Sequence, residues 1–203
     1  MKALRRGLAL VALAVLAAAA WAEPVILQGG VSVEPPPDWI PLSAELTEAD
    51  RTNFGDPELR RLMRQAAVGK PLVTFVRNTG RYRILPGVRV QTRSRAEVGR
   101  RAPADALETV AAMLARSIPD LRVVEGPVPT DRFGPGGAVI RIAYTIGAGP
   151  DALPIRSQIW MTTRDERTLL FSITMAEGEV DAMWREADAI LDTVRIGAPG
   201  DNR

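Results

Sequence analysis

The sequence contains no histidine and no cysteine. The first absence removes the usual general base near neutral pH, the serine–histidine and cysteine–histidine arrangements, and most zinc sites. The second removes disulfides and thiolate chemistry, so stability has to come from packing. No glycine-rich loop ends in the Gly-Lys-Ser/Thr that cradles a phosphate. Lysine is nearly absent too: beyond Lys2 there is only Lys70, beside Pro71 and without a Ser-x-x-Lys frame, so a serine–lysine dyad has no support.

The start of the chain carries Lys2, Arg5 and Arg6 without an acid, then an apolar run from Gly7 to Ala20, then Ala20-Trp21-Ala22 ahead of Glu23-Pro24. A basic n-region, a short apolar h-region and a small-x-small cleavage site are the parts of a secretory signal peptide. We therefore expect residues 1–22 to be a cleaved leader and the protein to be periplasmic or secreted. An uncleaved anchor is the alternative, but the run falls short of the roughly 20 residues a membrane span needs. The missing cysteine excludes a lipid-anchored lipoprotein of the usual kind, so no stable membrane anchor is expected after cleavage. The formal net charge of +2 also changes meaning, because the leader holds three positive charges and no negative one, which leaves the remainder at −1. A nucleic-acid binder normally carries a clear basic excess over its folded domain, and none is expected here.

From Glu23 onward the pattern reads as a single α+β domain over residues 23–196 with a flexible tail at 197–203. Val25-Ile26-Leu27 and Val31-Ser32-Val33 flank Gly29-Gly30 as two short strands around a turn, and the prolines at 35–37 stop that ladder. Asp56-Pro57 opens a helix carrying Leu59, Leu62, Met63 and Ala66 on one face, with Gly69 as its stop. Leu72–Val76, Arg81–Leu85 and Val88–Arg93 read as strands, the last two separated by a Pro86-Gly87 turn. Pro103 opens a second helix with Leu107, Val110, Ala111, Leu114 and Ile118 as its buried stripe. Leu121–Val124 reads as a further strand, and Gly134-Pro135-Gly136-Gly137 as a mobile loop. Ile140/Ile142/Tyr144/Ile146, Ile155/Ser157/Ile159/Met161 and Leu169/Phe171/Ile173/Met175 each share one face of a strand, and their short connections require antiparallel pairing. Val180, Met183, Trp184, Ala187, Ile190, Leu191 and Val194 make the closing helix.

This order of pieces resembles the PsbP-like α/β/α sandwich superfamily, which includes PsbP, DcrB-type and LpqN-type proteins. The resemblance rests on Val31-Ser32-Val33 running into Pro37-Asp38-Trp39, the helix Pro103–Ile118, the hairpins from Ala138 to Met175 and the closing helix Val180–Val194. It implies an antiparallel sheet flanked by helices, and a scaffold that mostly binds other proteins and has no shared active site. It brings no catalytic residue, metal ligand or cofactor site to particular positions.

Eight arginines fall between Arg77 and Arg101 against one acid, Glu97. If Arg81, Arg83, Arg89 and Arg93 share an outer face, their guanidinium groups could clamp carboxylates or phosphates of a partner. The same residues also suit a solvated strand face, or pairing with Glu186, Asp188 and Asp192 of the closing helix. Trp184 belongs to an apolar stripe, whereas Trp160 stands opposite Ile155 and Ile159. Trp160 is either a partner contact or, if helices cover both faces, core for a second layer. Asp165/Glu166 and Glu177/Glu179 are the carboxylate pairs, in turn and helix-start contexts that suit solvated acids. We thus expect a non-catalytic exported module without cofactors that binds or helps assemble an unidentified envelope protein. A carrier of a small apolar ligand or hydrophobic segment is the alternative, and a carboxylate-based hydrolase is a more remote one.

Overall fold

The computed structural model describes residues 23–27, 30–43, 71–78, 82–118, 120–146, 149–179 and 181–197. The leader at 1–22, the helix expected at 56–69 and the tail beyond 197 lie outside the described residues. Within them the elements are β1 (Val25–Leu27), β2 (Val31–Val33), β3 (Trp39–Ser43), β4 (Val73–Asn78) and β5 (Tyr82–Ser94). Helices α1 (Arg95–Val98) and α2 (Pro103–Ser117) follow, then β6 (Arg122–Thr130), β7 (Gly137–Ile146), β8 (Leu153–Arg164) and β9 (Arg167–Ala176). Helix α3 (Asp181–Asp192) and the short β10 (Arg195–Ile196) complete them.

Seven strands form one sheet in the order β3-β4-β5-β9-β8-β7-β6, every pair antiparallel. Both faces are apolar, because alternation sends successive side chains to opposite sides. Phe75, Val88, Val90, Phe171, Ile173 and Met175 point to one face, where Ala187, Ile190 and Leu191 of α3 cover them. Ala138, Ile140, Ile142 and Met161 point to the other, under Ala106, Leu107 and Ala111 of α2. The architecture is the α/β/α sandwich expected from the sequence. The isoleucine faces of β7 and β8 and the Leu169–Met175 face of β9 look in opposite directions, which alternation alone does not reveal.

A second sheet of β1, β2 and β10, with β2 central, closes the α3 side. Leu27, Val31 and Val33 turn inward to the same core as α3. Its closure ties the two ends of the fold together: Thr193 Oγ1 accepts from Glu34 N at 2.9 Å, and Gly197 N donates to Gly30 O at 2.6 Å. The chain is therefore still engaged at residue 197, where the sequence suggested the tail begins.

Two segments differ from the sequence reading. Residues 82–94 form one strand, not two strands joined by a Pro86-Gly87 turn. The β4–β5 register jumps from Val76↔Gly87 to Asn78↔Tyr82, and pairing with β9 begins only at Gly87↔Thr174. Pro86 thus falls outside both ladders, where its missing N–H leaves no vacancy. The segment 134–137 makes a tight connection, and its last residue, Gly137, already belongs to β7. Gly134 N donates to Asp131 O at 3.1 Å and Gly136 N to Asp131 Oδ1 at 3.2 Å, while Phe133 stacks on Phe171 with ring centroids 4.0 Å apart.

At the far edge, β6 pairs with β7 through two register shifts and contains Pro127 and Pro129. Val123, Val124 and Val128 of this strand are exposed.

Ile190 is fully buried, whereas Met113 on α2 is 61% exposed. Ile190→Ala should lower unfolding stability by about 2–5 kcal/mol through lost burial and the cavity it leaves. Met113→Ala should stay within about 0.5 kcal/mol. A Cβ on Gly126 would lie 2.7 Å from Val139 O at a φ of +94°, so Gly126→Ala should also destabilise. Urea melts of the three variants check this ordering; equal losses for Ile190→Ala and Met113→Ala would contradict the assigned layers.

Candidate functional site

Of the four arginines singled out in the sequence, Arg81 lies outside the described residues, and Arg83 is placed on β5 without a described side chain. Arg89 and Arg93 alternate with the buried Val88 and Val90, so they point to the α2 face together with Gln91. They are half-buried, not spread on an open outer face. The acids of α3 are engaged by other arginines on the opposite face. Arg77 Nη2 donates to Glu186 Oε1 at 3.1 Å, while its Nε lies 2.9 Å from Oε2 without hydrogen-bond alignment. Trp39 Nε1 also donates to Glu186 Oε2 at 3.3 Å. Arg132 donates to Asp188 Oδ1 and Asp192 Oδ1, both at 2.6 Å, and to Asp188 O at 2.9 Å.

Arg132 also settles the surroundings of Trp160. The guanidinium lies 5.1 Å from the centre of that indole, within cation–π range, and Phe133 meets it edge-on at 6.2 Å. Trp160 is only 5% exposed. It occupies the α3-side core, the second of the two arrangements the sequence left open, and offers no surface to a partner.

Around Arg89 the α2 face of the sheet carries a polar band. Ser172 is its register partner on β9, and in the next row Thr174 stands between Gly87 and Ser157. Ser157 Oγ and Thr174 Oγ1 share a hydrogen bond of 2.6 Å, and Ser157 is itself buried. Burial lowers the Arg89 pKa from its ordinary value, with a smaller opposing effect from Tyr144. Burial raises the Tyr144 pKa, and the Arg89 charge works against that rise. The band is a place where charge is held at a solvation penalty, between two apolar zones.

Beside it runs an open groove of about 690 Å³ between α1 and α2. Met161 and Leu170 make its floor, Ala106, Thr109, Val110 and Met113 one wall, and Ala96 and Val98 the other. Gln91, Arg93, Glu97 and Arg101 supply its polar groups. Arg101 Nη1 donates to Thr109 Oγ1 at 2.9 Å. Helix α1 is one turn long and holds its place by a reciprocal cap. Glu97 N donates to Ser94 Oγ at 3.3 Å, and Ser94 N donates to Glu97 Oε2 at 2.8 Å. The Ser94-x-x-Glu97 spacing was the signal available for α1 in the sequence. Nothing in the sequence marked Met113, which lies off the stripe that α2 buries.

The paired carboxylates fall in two places. Asp165 and Glu166 form the β8–β9 turn, with Asp165 at a φ of 54°. Glu177 Oε1 accepts from Arg156 Nη2 at 2.8 Å and lies 3.6 Å from Arg122 Nη2. Among the described residues no group of three or more acidic, histidine or cysteine side chains is placed to hold a metal, and no helix is long and apolar enough to cross a membrane.

A single antiparallel sheet with helices on both faces defines an α+β sandwich. Its likeness is to the cyanobacterial PsbP of Synechocystis sp. PCC 6803, with a TM-score of 0.51 over 93% of this chain and 99% of that one, at 12% identity. The chain has the PsbP-like fold. LpqN of Mycobacterium tuberculosis, described as involved in cell envelope biogenesis, aligns over 84% of this chain and 87% of its own, with a TM-score of 0.46 and 11% identity. No family model matches the sequence. Among curated proteins, the acetyl-coenzyme A carboxylase carboxyl transferase subunit alpha of Streptococcus sanguinis is 24% identical over 153 residues, 72% of this chain and 48% of that subunit. The chain spans about half the length of the curated relatives it matches.

The half-buried phenol of Tyr144 gives a spectroscopic test. A folded-state pKa raised above the unfolded value means Tyr144 contributes its stability fully below about pH 10, and that contribution is lost as pH rises through the folded pKa. With Tyr82→Phe leaving one tyrosine, phenolate absorbance should titrate with a midpoint above about 10. Arg89→Met should move it higher still, since a charge favouring phenolate is gone. An ordinary midpoint, or a fall on replacing Arg89, would contradict the arrangement.

Proposed function

We propose that this is a non-catalytic exported module that binds a segment of another envelope protein, with the groove between α1 and α2 as its contact surface. The observation that carries this reading is the groove itself, whose apolar lining stays open to solvent with Met113 61% exposed at its wall. Exposed apolar surface rimmed by polar groups marks interaction sites in proteins that are otherwise well packed. The absence of histidine and cysteine from the sequence supports a role without chemistry. Of the carboxylates that might have served a hydrolase, Glu177 is held by Arg156, and Asp165 and Glu166 lie exposed in a turn. Identity of 24% over half of a carboxyl transferase subunit carries no activity across to this chain. Export rests on the basic, apolar and small-x-small order of residues 1–22.

Two measurements test the reading. N-terminal sequencing of the protein from an envelope fraction should begin at Glu23; an intact Met1 there would sink cleavage, and recovery of the protein only from the cytoplasm would sink export. A photo-crosslinking residue at Met113 should give a discrete protein adduct in cells, whereas the same residue at the exposed Arg116 in the last turn of α2 should not. Identical products at both positions, or adducts with lipid alone, would overturn the groove as a protein-binding surface.

A further inference from the structure

We propose that the protein also rests reversibly on an anionic lipid surface, through the outer face of the β1-β2-β10 sheet and the β8–β9 turn beside it. The small sheet sends Leu27, Val31 and Val33 inward, so Ile26, Ser32 and Arg195 point the other way. Register sets these three in one row, with Ile26 opposite Ser32 and Ser32 opposite Arg195. Ile26 is 74% exposed, more than any other large apolar side chain among the described residues.

Arginines without acid partners stand beside this row. Arg195 Nη1 donates to the carbonyls of Asp192 and Val194, at 2.9 and 3.0 Å. Arg164, the last residue of β8, donates from Nη1 to Ile196 O at 2.6 Å, which joins the β8–β9 turn to β10. That turn also holds α1, because Arg95 N donates to Glu166 O at 2.8 Å. Gly99 N, just ahead of Arg100, donates to Arg95 O at 2.9 Å. Among the described residues, Arg95, Arg100, Arg164 and Arg195 have no carboxylate partner, whereas Arg77, Arg122, Arg132, Arg141 and Arg156 each have one.

Charge is segregated as well. Residues 93–101, residues 164–167 and Arg195 together hold seven arginines against Glu97, Asp165 and Glu166. Removing the three leader cations takes the chain from +2 to −1, so this margin is basic and the rest of the molecule is acidic. A molecule with that dipole turns its basic side toward a negative plane.

A bilayer suits the combination of side chains. Ile26, Arg164 and Arg195 are exposed and take no part in lining the groove. At a headgroup boundary, guanidinium groups meet phosphates while an apolar side chain reaches the acyl region beneath. A few arginines and one isoleucine give a reversible contact, far short of an inserted helix.

The test uses the processed protein, purified from the envelope fraction, and vesicles of phosphatidylcholine with or without phosphatidylglycerol. The protein should sediment with the anionic vesicles only, and raised salt should release it. Arg164→Glu and Ile26→Ser should each weaken binding roughly tenfold. Arg116→Glu, about 20 Å along α2 from its first residue, should change it by less than about twofold. Circular dichroism of each variant confirms that the fold is retained. Because the chain has no cysteine, Ser32→Cys takes a single environment-sensitive dye beside Ile26. Its emission should shift to the blue on anionic vesicles, and the same dye at Met113→Cys should not respond. Equal sedimentation with neutral vesicles, an equal loss for Arg116→Glu, or a silent dye at Ser32 would each overturn the contact. Sedimentation with neither vesicle would also overturn it and leave the arginines to an acidic protein. None of these failures touches the groove reading, which stands or falls on the protein adduct at Met113 in cells.

Discussion

A sheet whose strands alternate apolar residues toward both sides is stable only when both sides are covered, and this constraint organises everything else in the molecule. Helix α2 and helix α3 each cover one side, but they are secured differently. Helix α2 relies on side-chain burial, with Leu107 fully enclosed. Helix α3 adds two arginines reaching from the sheet side, Arg77 to Glu186 and Arg132 to Asp188 and Asp192. The Arg132 bonds are charge-assisted and geometrically fixed by the planar guanidinium, and the same group caps Trp160 and Phe133. The acidic face of α3 is thereby committed to holding the fold together.

The other side of the sheet is covered differently. Strand alternation on β5 places Arg89 and Arg93 on the α2 face, where burial and a band of hydroxyls set the environment of Arg89. Covering is incomplete there, because Met113 of α2 stays exposed beside the groove.

Much of the fold was legible from the sequence because the physics behind it is local. Period-two alternation located β7, β8 and β9, and three- and four-residue spacing located α2 and α3. What alternation could not provide is the sense of each face, which depends on register: Ile159 stands opposite Ser172 and Ile140, not opposite Phe171. Pro86-Gly87 misled for a related reason, since a proline signals a turn only where a ladder needs its N–H. The arginine cluster was visible as composition, but its division between faces was not, because Arg77 and Arg89 lie on different strands with opposite orientation. The groove was least legible of all, assembled from α1, α2, β5, β8 and β9.

The β6 edge bears on how copies of the protein meet one another. A sheet margin bearing exposed valines is normally a template on which copies of a chain can add strand to strand, ending in insoluble fibres. Here Pro127 and Pro129 offer no N–H to an incoming backbone, and two breaks in register bend the margin out of line. A molecule without cysteine, and hence without disulfides, thus carries its own barrier to polymerisation in the covalent chemistry of two residues.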